Sequence, residues 1–148
     1  MIYHFRVYKE DGGYWAECCE LEGCRTQGNS MASVTRACEE ALDLYLDEGD
    51  TLPPLPDVSL DAHPQILPVP VNAKRALALL LRHERHAQRL TQQQAATRLG
   101  MRNLYSYQRL EKRANPSLSL LERIHQSFPG IPMDRLFERP IKAASPFQ

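Results

Sequence analysis

No stretch of this sequence approaches the ~18–20 consecutive apolar residues that a bilayer-spanning helix needs. The N-terminus passes straight into an alternating strand pattern, with no basic leader and apolar block before it. A soluble, cytoplasmic protein with no membrane partner is the expectation. Cysteine is scarce and unpaired in spacing: Cys18, Cys19, Cys24 and Cys38 lack the C-x-x-C arrangement of a zinc site and read as reduced, small apolar fillers. There is no Gly-rich phosphate loop, no internal repeat and no low-complexity tract. His4, His63, His83, His86 and His125 are scattered without a Cys or Ser at a nucleophile's spacing. His83 and His86, three apart on a helix, read as a solvated face rather than a zinc pair. These absences together predict a protein that is not an enzyme and carries no cofactor and no metal.

Net charge is also lacking, but only as a sum. Through Pro64 the chain carries 4 Lys+Arg against 13 Asp+Glu, and from Gln65 onward 14 against 5. An acidic half attracts basic partners and repels polyanions, whereas a basic half does the reverse. The two halves therefore call for different partners.

What is present in the first half is a strand pattern followed by a helix pattern. Residues 2–8 place Tyr3, Phe5 and Val7 on one face, residues 9–13 supply turn chemistry, and the extended pattern resumes over 14–19, which makes a hairpin. A third strand fits 24–28. From Ser30, a suitable N-cap, Val34, Ala37, Cys38, Ala41, Leu42, Tyr45 and Leu46 recur at helical spacing up to a stop near Gly49. A βββα unit is small, so the apolar run 65–71 is read as a further strand, which Pro68 and Pro70 confine to a sheet edge. Six prolines between Leu52 and Val71 mark a stiff connector and the domain boundary. The predicted fold class is α+β: a small βββαβ domain over 1–70, with the connector at about 50–64, then an all-α bundle over 71–138 and a tail over 139–148.

The second half reads as helices from Asn72 to about Gln88, from Thr91 to Leu99–Gly100, from 103 or 104 to 111, from 117 to 128 and from 133 to 137. Thr91 and Gln94 form a capping-box pair, Ala96 allows a close helix crossing, and Gly100 permits a tight turn. Met101, Tyr107 and Leu110 are then expected in the core. Arg102, Asn103, Tyr105, Ser106, Gln108, Arg109 and Lys112 are left to meet DNA, with Gln92 and Gln93 against phosphate. Leu-Thr-Gln-Gln-Gln at 90–94, Arg-Leu-Gly at 98–100, Leu-Glu at 110–111 and Asn-Pro-Ser-Leu at 115–118 resemble the lambda-repressor-like (Cro/C1, XRE) helix-turn-helix domain. Ala95 stands where that family usually has Leu, and the stretch before Glu111 is one residue longer than the common form.

The first half has a resemblance of its own. Glu-Asp-Gly-Gly-Tyr-Trp at 10–15, Leu-Glu-Gly-Cys-Arg-Thr-Gln-Gly at 21–28, the helix ending at 37–46 and the Leu-Pro-Pro-Leu-Pro exit resemble the HicB antitoxin domain, although Glu22 replaces a usual Pro and Ser33 a common Glu. The resemblance implies a partial ribonuclease-H-like fold. It also implies an antitoxin that covers a small, basic, mRNA-cleaving HicA-like toxin and represses its own operon at operator DNA.

Glu17, Glu20, Glu39, Asp43 and Asp47 are the expected toxin-facing carboxylates, and a fragment of about residues 1–64 is expected to retain some toxin binding. Asp43 and Asp47, one helical turn apart, could in principle hold a metal. The first strand, however, offers Tyr3, His4, Phe5 and Arg6, with no carboxylate for two-metal nuclease chemistry. An inverted-repeat operator implies a homodimer or homotetramer, since one short helix in one groove binds weakly. The competing reading is a stand-alone transcription regulator whose N-terminal domain senses a ligand or assembles oligomers. A neighbouring basic reading frame of ~60–90 residues separates the two.

Overall fold

The computed structural model describes residues 1–48 and 50–140. Gly49, read above as a helix stop, and most of the tail, 141–148, lie outside the described residues. The fold is α+β, with a four-stranded antiparallel sheet and five α-helices among the described residues. The chain divides into two compact units, one over Met1–Val71 rejoined at Glu138, the other over Asn72–Phe137.

In the first unit, β1 (Ile2–Glu10), β2 (Gly13–Cys18), β3 (Arg25–Gly28) and β4 (Ile66–Pro70) are ordered β3-β2-β1-β4. The β1–β2 register pairs Phe5 with Cys18 and Val7 with Ala16, so alternation sends Tyr3, Phe5, Val7, Ala16 and Cys18 to one face. Helix α1 (Met31–Asp47) covers that face with the buried side chains Val34, Cys38 and Leu42. Ser30 caps α1 by accepting from Ser33 N–H, and the Ser33 hydroxyl accepts from Ser30 N–H at 2.9 Å, so serine takes the reciprocal role of a capping box. Gly28 is required by close approach: a Cβ there would lie 2.5 Å from the Val34 nitrogen.

The edge position of β4 is as the prolines dictate. Val71 N–H donates to the Met1 carbonyl at 2.8 Å, which by alternation turns the nitrogens of Pro68 and Pro70 away from β1. That edge consequently offers no donor at either proline, a block to pairing with another chain. A fragment ending at residue 64 lacks β4, and the whole sheet needs the chain through Pro70.

The Pro-rich segment is not a free spacer. It runs from α1 to β4 within the first unit, with Pro56 buried and Leu52, Pro53 and Leu55 half-buried. The unit boundary falls after it, between Val71 and Asn72. A 3-10 turn at Val58–Leu60 is capped by Asp57, whose carboxylate accepts from both the N–H and the hydroxyl of Ser59.

The second unit holds α2 (Ala73–Ala87), α3 (Gln92–Arg98), α4 (Leu104–Lys112), α5 (Leu118–Ser127) and a 3-10 turn at Met133–Phe137. Asn72, Thr91, Asn103 and Ser117 each cap the helix that follows. The Thr91–Gln94 box is closed in both directions, at 3.1 and 2.8 Å. Ala95 and Ala96 are fully buried, which lets α3 lie close to its neighbours, and Gly100 takes φ 69 in the turn before α4. Leu99, Tyr107, Leu110, Ile124, Phe128, Ile131 and Leu136 complete the core; Met101 is only half-buried. No helix among the described residues is long and apolar enough to cross a membrane.

Candidate functional site

Helix α4 follows α3 through a short turn and is fixed from beneath by a buried polar network. Glu111, 5% exposed, receives Arg85 of α2 through Nε and through Nη2, the latter at 3.1 Å. It also receives the Tyr107 hydroxyl at 2.7 Å and Gln92 Nε2 at 2.9 Å. Burial alone would raise the Glu111 carboxyl, but hydrogen bonds from Arg85, Gln92 and Tyr107 hold it below its ordinary value. Burial, and then the bond to Glu111, push the Tyr107 phenol upward.

Gln92, expected to meet phosphate, is half-buried at the start of α3 and belongs to this network. Its amide is used at both ends, Nε2 on Glu111 and Oε1 accepting from Gln108 Nε2 at 3.1 Å. Gln108 is accordingly half-buried and oriented, rather than a loose outward amide. Asn103 also has a local task, since its Oδ1 caps Tyr105 N–H at 2.9 Å. Ser106 is half-buried, while Gln93, Arg102, Arg109 and Lys112 are exposed and Tyr105 is 66% exposed. Tyr105, Arg109 and Lys112 thus lie on α4, Arg102 on the turn before it and Gln93 on α3.

The five carboxylates expected to face a partner do not form one surface. Glu39, Asp43 and Asp47 are exposed on α1, where Glu40, Glu48 and the 62% exposed Leu44 accompany them. Glu17 points from the opposite face of the sheet, where it accepts from the Tyr8 hydroxyl at 3.2 Å and pairs with Arg25 at 3.5 Å. Glu20 differs from the others: its side chain is 6% exposed and turned inward, with Oε2 2.7 Å from His4 Nδ1, so its carboxylate is engaged within the fold. Sequence reasoning missed this arrangement, in which His4 also meets Asp61 at 2.8 Å. A lone His in a strand carries no signal for partners so far away along the chain. Among the described residues no group of three or more His, Cys, Asp or Glu side chains is arranged to hold a metal ion.

No family model matches the chain. It is 39% identical over 49 residues to UPF0150 protein ssr1765 of Synechocystis sp., a match covering 31% of this chain and 62% of that protein. It is 38% identical over 39 residues to UPF0150 protein ssl0738 of the same organism, covering 26% and 54%. The chain spans less than two thirds of the length of either of these curated relatives.

Proposed function

We propose that this chain is a HicB-type antitoxin that acts by binding rather than by catalysis. Its first unit, a partial ribonuclease-H-like domain, takes a small basic HicA-like toxin, and its second, a lambda-repressor-like helix-turn-helix domain, takes operator DNA as a homodimer or homotetramer in the cytoplasm. The observation that carries this reading is that the charge divides where the structure does. Met1–Val71 has 4 Lys+Arg against 13 Asp+Glu, and Asn72–Phe137 has 12 against 4. A basic unit with an anchored helix carrying exposed Arg109 and Lys112 suits phosphate and base edges, whereas a surface rich in carboxylates suits a cationic protein and mimics the polyanion it must exclude. Similarity to UPF0150 proteins, a family associated with HicB-like antitoxins, supports the same assignment.

The DNA arm is tested by fluorescence anisotropy with the region upstream of the gene. Arg109→Ala is expected to weaken specific binding by about 1–3 kcal/mol, while Lys112→Ala reduces affinity for all sequences and flattens its salt dependence by about one unit of slope. Toxin binding by both variants is expected to be unchanged. Equal loss of toxin binding would remove the division between the units.

A further inference from the structure

His4 lies in the middle of β1, on the face that α1 does not cover, yet it is fully buried. The cover comes from the chain between α1 and β4. His4 Nε2 is 2.8 Å from Asp61 Oδ1 and Nδ1 is 2.7 Å from Glu20 Oε2. Glu20 also accepts from the backbone N–H of His4 at 3.0 Å and of Asp57 at 3.1 Å. One residue before His4, the Tyr3 hydroxyl donates to the Pro54 carbonyl at 2.7 Å. Residues 57 and 61 are therefore tied, directly or through Glu20, to His4, while the Tyr3–Pro54 bond holds the start of the segment independently of the ring.

A neutral imidazole has one N–H and one lone pair, so between two carboxylates it would turn a lone pair toward an anionic oxygen. Only the imidazolium donates on both sides. We propose that His4 is a proton-operated clamp: in its charged form it holds the Pro-rich segment against the sheet, and on losing its proton it releases that segment. The clamp rests on these contacts and does not depend on the proposed partners.

The groups facing the ring are all acidic or neutral. Glu20 comes from the β2–β3 loop, Asp57 and Asp61 from the segment, and the Cys18 thiol of β2 reaches Glu20 Oε1 at 3.7 Å. Cys19 N–H donates to the His4 carbonyl, and β4 places Pro68 opposite. The charged residue next along the same face of β1, Arg6, is exposed. Burial alone would depress the His4 pKa, but the bond and charge of Glu20, then those of Asp61, raise it above the ordinary 6.5. A group raised in the folded state stabilises fully below its unfolded value and loses that effect as pH climbs through its folded value. The segment is thus docked in mildly acidic solution and loosens on the alkaline side.

Hydrogen exchange on the full chain, with the His4 ring followed by NMR, tests this between pH 6 and 10. Protection factors of the Asp57, Ser59, Leu60 and Asp61 amides are expected to fall with the same midpoint as the ring, by about tenfold for each unit by which its pKa exceeds the ordinary value. His4→Gln is expected to lower that protection and remove its pH dependence. Should His4→Gln fail to fold, Asp61→Asn, at a side chain 52% exposed, keeps the test open by shifting both midpoints downward together. Protection that stays constant while the ring titrates, a ring that titrates at or below its ordinary value, or an unmoved midpoint in Asp61→Asn overturns the proposal.

Discussion

Glu111→Ala is expected to destabilise the second unit by about 3–5 kcal/mol, the cost of removing one member of a buried ion pair. The carboxylate gathers Arg85, Tyr107 and Gln92 from three helices, and its loss strands a guanidinium, a phenol and an amide together. At roughly 0.05–0.15 kcal/mol per residue, a unit of this size is stable by about 3–10 kcal/mol, so the substitution removes between about a third and all of what holds it folded. DNA binding is expected to disappear with it, because α4 loses its support and Gln108 loses the oriented Gln92 that positions it.

The acid limb gives a second readout of the same pair. A carboxyl held below its ordinary value contributes stability that is present above that ordinary value, 4.5, and lost as pH falls through the depressed one. Glu111→Gln is therefore expected to flatten the loss of stability between about pH 5 and the lower value. Denaturant titration followed through amide signals of α4 measures both effects. A shift below about 1 kcal/mol for Glu111→Ala would mean that the network is ornamental to stability.

Reversing Glu39, Asp43 and Asp47 to lysine is expected to slow association with the proposed basic toxin by about 10- to 1000-fold at low ionic strength. The three side chains are exposed on α1 with Leu44 among them, so the substitution inverts the charge there without entering the core. Salt should erase most of the difference, since charges this exposed are screened beyond about 10 Å at 0.1 M. Glu17→Lys is the control, because Glu17 lies across the sheet and already engages Tyr8 and Arg25. Stopped-flow mixing over a salt series reads the outcome. Equal slowing by Glu17→Lys would move the binding surface off α1.

Much of the fold is legible in the sequence because local chemistry and tertiary structure agree. The Thr91–Gln94 spacing closes a capping box, Ser30 begins α1, and the alternation of Tyr3, Phe5 and Val7 is the core face of β1. Pro68 and Pro70 announce an edge strand through the donors they lack. What stays hidden depends on polar contacts between residues far apart in sequence. His4 and Asp61 are 57 positions apart, and nothing periodic joins them. Hence a Pro-rich run whose composition suggests a spacer proves to be a packed cover. Glu20, a carboxylate after two cysteines, looks like a surface residue until its hydrogen bonds with His4 and Asp57 are known. Gln92 and Gln108 likewise suggest separate DNA contacts when taken one at a time, whereas 16 residues apart they bond to each other.

The central claim is that the acidic unit restrains a basic toxin while the basic unit reads DNA. The measurement closest to it is co-expression of this chain with a HicA-like small basic protein, sought among the reading frames beside its gene, scoring growth and recovery of the complex. Growth arrest by that protein alone, relief when both are made, and a stable complex that is lost when Glu39, Asp43 and Asp47 are reversed are the expected results. Arrest that persists with the chain fully expressed, or a neighbour that neither arrests growth nor co-purifies, would contradict the claim.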